Sequence, residues 1–160
     1  GFWATHTDIT CEVFNDYLGG FVRIGTLAGC HKDLYECTEV LGIFWSSISR
    51  NTDGSKRTLL EQARMILAQQ LMAAILNHAA FGTPVPEDPV THDDLITAGN
   101  NAFGGNSRTE MLRVAGLLDD FNNSGHDQPL PPPWDPPGPA TPQESRSIAD
   151  RDFWDFVCTV

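Results

Sequence analysis

Basic residues are scarce in this chain: ten Lys and Arg stand against 21 Asp and Glu in 160 residues, leaving a formal charge of −11. Such a surface repels phosphate backbones and anionic headgroups, so nucleic acid is not an expected partner. Long apolar runs are missing as well. The longest, Met65 to Leu76, is broken by Gln69 and Gln70 and falls short of the roughly 20 residues that cross a bilayer, so no membrane insertion is expected. There is no G-x-S-x-G elbow, no phosphate-binding glycine loop and no single cysteine with a histidine partner, and the chain reads as a non-enzyme without a cofactor. Ligand-type side chains do occur at His6, Asp8, His31, Asp33, His92, Asp93 and Asp94. They lack H-x-x-x-H spacing, and residues 51–55 carry only a fragment of a calcium loop, so no metal site is predicted. Asp119 and Asp120 are neighbours on a predicted helix, point about 100° apart, and read as a solvated face.

The cysteines are few but even in number. Cys11, Cys30, Cys37 and Cys158 show no C-x-x-C spacing, which favours two disulfides over a zinc site and over four buried cytosolic thiols. Four cysteines allow three connectivities, and spacing does not choose among them. An oxidising, extracellular setting is the expectation. The chain opens on Gly1, as a processed product or a trimmed piece would.

The strongest local signal is residues 55–81, filled with Ala, Leu, Met, Gln, Glu and Arg and free of Gly and Pro until Gly82 and Pro84. This predicts a central helix of about 24 residues, opened by Thr58 with Glu61 or by Ser55 and closed by Gly82. Its later half is apolar nearly all round (Leu71, Met72, Ala73, Ala74, Ile75, Leu76), which requires neighbours on every side. The first 30 residues show no sustained helical period and are read as loops and short extended pieces, with residues 21–24 a strand candidate. Residues 32–47 suggest one helix or two, with Thr38 and Glu39 marking a start partway along. After the Pro-rich connection 82–89, Thr91 with Asp94 opens a short helix, and the capping box Ser107 to Glu110 opens another that stops at 122–125. The fold class is therefore mainly α: a small helical bundle around one long central helix, with an irregular, disulfide-linked N-terminal region.

Eight of the fourteen residues from Pro129 to Pro142 are proline, predicting a polyproline II spacer with a reach of roughly 40 Å. The organisation expected is a domain over 1–125, an extended spacer over 126–146 and an aromatic docking segment over 147–160. Phe153, Trp154, Phe156 and Val157 are the contact candidates there, and Cys158 either returns to its own chain or crosses to a neighbour.

Three stretches together carry a likeness: the opening 1–6 (GFWATH), residues 67–77 (LAQQLMAAILN) followed by Ala79 to Gly82, and residues 118–125 (LDDFNNSG). Residues 1–125 thereby resemble a recurring domain of exported bacterial proteins with a GYWKTHP-like start, an LAxQLxAAxLN helix and an LDxFN end. Ala4 stands where that family has lysine, and Thr7 where it often has proline. The resemblance implies an extracellular or cell-surface location and brings no catalytic residues with it.

Two functions follow as expectations. The first is a secreted structural protein, a subunit of an extracellular filament or matrix that assembles with copies of itself through the tail. The second is a monomeric module binding surface glycans or another ligand, with Trp3 as a stacking platform, although Trp3 and Phe2 also suit a plug at the base of the bundle. Residues 122–124 form a glycosylation sequon that doubles as a helix end.

Overall fold

The computed structural model describes residues 1–124, 130–131 and 134–158. In chain order the elements are α1 (Phe2–Thr5), α2 (Thr7–Glu12), a π-helical turn (Val13–Tyr17), β1 (Val22–Gly25), β2 (His31–Leu34), α3 (Cys37–Trp45), α4 (Leu59–Phe81), α5 (Leu95–Gly104), α6 (Arg108–Ser124), α7 (Pro142–Ile148) and a 3-10 turn (Asp152–Asp155). The architecture is mainly helical, with one two-stranded antiparallel sheet and two disulfides.

Helix α4 begins and ends as its sequence dictates. The Thr58 side chain accepts from the Glu61 amide while Glu61 reaches back to the Thr58 amide, and Gly82 closes the helix at φ 65°, the left-handed conformation that glycine adopts without strain. Helices α3, α5 and α6, the π-helical turn and β1 all pack on it. Leu67, Leu71, Met72, Ala74 and Leu76 lose essentially all their exposure, whereas Ala73 and Ile75 stay half-buried, so this half of α4 is not covered on every side as its apolar surface suggests. Asp94 caps α5 through the Thr97 amide, and the Ser107 hydroxyl accepts from the Glu110 amide at the start of α6.

Two expectations are corrected at the N-terminal end. Residues 2–17, read as loops, are nearly all helical, in pieces too short to show a hydrophobic period. They are held by tertiary contacts, among them the hydrogen bond from Thr10 Oγ1 to the Trp3 carbonyl, 2.7 Å. Residues 32–34, read as the start of a helix, form with His31 a strand paired with β1, Val22 opposite Leu34 and Arg23 opposite Asp33. Alternation decides this pairing: Val22, Ile24, Lys32 and Leu34 turn inward, and Arg23 meets Asp33 on the outer face at 2.7 Å. Helix α3 starts only at Cys37, under a Glu36–Glu39 capping box.

The C-terminal part departs furthest from the extended spacer. Trp134 is buried and its indole donates to Glu12, the Thr141 amide donates to the Thr5 carbonyl, and residues 142–148 form α7. Pro142 sits at the first helical position, where a missing N–H costs no hydrogen bond. Residues 126–129 and 132–133 of the expected spacer lie outside the described residues. Helix α7 packs on α1, α2 and α3, and the following strap crosses α3 at Gly42, where an added Cβ would lie 2.1 Å from the Asp150 carbonyl oxygen. Trp154 is fully buried, its indole donating to the Glu39 carbonyl, while Arg57 donates to the Trp154 carbonyl. Lys32 donates to the Phe153 carbonyl at 2.8 Å with its ammonium 3.8 Å above the Phe153 ring, and burial pushes the pKa of that amine down.

Candidate functional site

The face of α4 that carries Gln70, Ala73, Asn77 and Phe81 is a single stripe, since these positions are three or four residues apart. Together with Asp119, Asn122 and Asn123 of α6, Phe2 and Trp3 of α1, and Phe44 of α3, it lines a cleft of about 630 Å³. That volume falls within the roughly 300–1,000 Å³ typical of small-molecule sites. Leu130 and Thr83 are also among its lining residues. Among the described residues no Lys, Arg or His lines the cleft, and Asp119 is its one acidic side chain.

The polar groups of the cleft form a directed chain. An indole N–H can only donate, so the 2.9 Å bond from Trp3 Nε1 turns the Asn77 oxygen toward it. Asn77 Nδ2 then donates to Asn122 Oδ1 at 3.0 Å, and Asn122 Nδ2 donates to both the backbone and side-chain oxygens of Gln70 at 2.9 Å. Each amide is thereby oriented by the one before it. The chain ends at Gln70, whose Nε2 donates to no group among the described residues and whose side chain is part of the cleft lining.

Other singled-out residues serve the fold. Trp3 is 5 % exposed, so its faces are packed and its contribution to the cleft is the N–H at the head of the amide chain. The sequon residue Asn122 has both ends of its amide engaged inside this network. The cysteines pair as Cys11–Cys37 and Cys30–Cys158, so Cys158 returns to its own chain. Of the four tail contact candidates, Trp154 and Val157 are buried in that same chain, Phe153 is half-buried beneath Lys32, and Phe156 is 78 % exposed. The ligand-type side chains stay apart: His6 stacks on Phe2, Asp33 binds Arg23, His92 meets Glu87, and Asp94 caps α5. Among the described residues no three His, Cys, Asp or Glu side chains gather as a metal would require, and no helix is long and apolar enough to cross a membrane.

Comparison with known proteins returns nothing. No family model, curated protein or solved structure matches this chain. The cleft therefore has to be interpreted from its own chemistry. Sequence reasoning reads Gln70 as a break in an apolar run, Asn77 as part of a helix and Asn122 as a helix end and sequon, and gives none of them a place in a site. The signal was there in Gln70 and Asn77, amides seven residues apart on one face of a helix that is otherwise apolar nearly all round.

Proposed function

We propose that the chain is an extracellular, monomeric binding module that takes an uncharged, hydroxyl- or amide-bearing ligand of the glycan class in the cleft between α1, α4 and α6. The observation that carries this reading is the directed amide chain ending in an unspent donor beside aromatic walls. Neutral amides with fixed orientation reward a ligand that offers oxygen acceptors, and the aromatic walls reward its apolar faces. Among the described residues no basic side chain lines the cleft, and the net charge of −11 works against an anionic ligand. The two disulfides agree with an oxidising compartment. Titration with neutral and with acidic oligosaccharides, followed by tryptophan fluorescence and calorimetry, tests the reading. Saturable binding confined to neutral members supports it, and binding only by the acidic ones would overturn it.

A second reading, a self-assembling subunit of an extracellular filament or matrix, is favoured by Phe156, which stands 78 % exposed next to buried Val157 and the bonded Cys158. An aromatic held outward on a disulfide-anchored strap is a ready contact for another copy. Light scattering and electron microscopy of the chain beside Phe156→Ser test it: assemblies lost in the variant support a Phe156 contact, and a wild-type chain that stays monomeric at high concentration removes it.

A further inference from the structure

We infer that the cleft selects a sugar carrying an acetamido group, with Gln70 and Ala73 as the residues that read it. This deepens the binding reading above and rests on it. Gln70 and Ala73 are one turn apart on the cleft face of α4, about 4.5 Å along the axis, and Asn77 follows at about 10.5 Å from Gln70. The stripe is thus an amide, a methyl-sized shelf and a second amide. A sugar hydroxyl is met well by either amide but leaves the Ala73 shelf and the Phe2 and Phe44 walls facing a polar group. An acetamido group meets the Gln70 amide and the Ala73 shelf together and has an N–H left to donate. Its carbonyl oxygen accepts from Gln70 Nε2, the amide nitrogen of this network that has no partner among the described residues, and its methyl lies over Ala73. Its N–H is assigned to the Asp119 carboxylate, which also lines the cleft and accepts from Asn123 at 3.1 Å through one of its two oxygens. The orientation is not adjustable, because reversing the Gln70 amide would bring its nitrogen against Asn122 Nδ2, donor against donor.

The test compares three short oligomers of one ring geometry by calorimetry on the intact, oxidised chain: the N-acetylglucosamine trimer, the glucose trimer and the glucosamine trimer. The N-acetylated trimer is expected to bind about tenfold or more tighter than the glucose trimer, the worth of one well-made hydrogen bond. Gln70→Glu keeps the oxygen that Asn122 needs and removes the donor, so the acetamido preference is expected to vanish. Ala73→Leu fills the shelf and is expected to weaken the N-acetylated trimer more than the glucose trimer. Circular dichroism and thermal midpoints confirm that both variants fold. Equal affinity for the N-acetylated and glucose trimers, or a preference unmoved by Gln70→Glu, overturns the acetamido inference and leaves a neutral-glycan site standing. Preference for the glucosamine trimer overturns it by assigning recognition to charge at Asp119. No binding of any trimer overturns the inference together with the glycan reading it rests on.

Discussion

Asp88 is a carboxylate with no exposed side-chain surface, and it survives burial because Arg113 grips both its oxygens at 2.8 and 2.9 Å while the Val90 amide donates to one of them. The Arg113 bonds, ahead of every other influence, hold its pKa far below the ordinary 3.8. A carboxylate depressed in the folded state stabilises fully above its unfolded value, and that stabilisation drains away as the pH falls through the folded one. Asp88→Asn is therefore expected to cost about 2–3 kcal/mol at neutral pH. The gap from wild type should narrow below pH 3.8, and urea titrations at pH 7 and pH 3 check both points. Trp3 is a different case. Trp3→Phe preserves most of the buried ring and deletes the N–H that orients Asn77, Asn122 and Gln70 in turn. The expected result is a stability loss of about 1 kcal/mol, as for one ordinary hydrogen bond, with a larger proportional loss of neutral-sugar affinity than of stability. A Trp3 that only filled space would move the two together.

Elements differ in how plainly the sequence announces them, for physical reasons. Helix α4 is legible because propensity, cap chemistry and a C-terminal glycine all agree over 23 residues. Helices α1 and α2, of four and six residues, complete no hydrophobic period, and only contacts made with distant parts of the chain select helix there. Strand β2 was hidden because Leu34 fits a helical stripe continuing to Leu41 as well as it fits a pleat, and its partner β1 decides the matter. The strap after α7 was unreadable in direction: its aromatic residues announce a docking segment, but the acceptor is a notch at Gly42 on α3 that exists only once the fold has formed. Gly42→Ala is accordingly expected to push the Asp150 backbone off α3 and to cost about 1–3 kcal/mol, as overpacking does. Faster hydrogen exchange at the Asp150 and Trp154 amides would report the displacement. For the cleft, the aromatic at position 3 was legible and its role was not, since an indole that stacks on a ligand and one that donates into the wall share the same letter.

Over the whole molecule, the covalent links and the surface charge act together. The Cys30–Cys158 bond closes a segment of 128 residues, and breaking it returns that closure entropy to the unfolded chain. Cys158→Ser paired with Cys30→Ser is expected to lower stability by up to about 4–5 kcal/mol, measured by thermal unfolding against the oxidised wild type. The −11 charge opposes close association of copies at low ionic strength, so any assembly through Phe156 should strengthen as salt is added, which sedimentation at two salt concentrations would reveal. The order of the cysteines has its own outcome. Cys11 pairs with Cys37 and Cys30 with Cys158, so the two closed loops overlap over residues 30–37. Every peptide bond from Cys11 to Cys158 consequently lies inside at least one loop. A protease that cuts once anywhere in that span releases nothing: the nicked chain keeps its mass on a non-reducing gel and separates into two pieces only when a thiol is added, so damage by secreted proteases would remain silent until reduction.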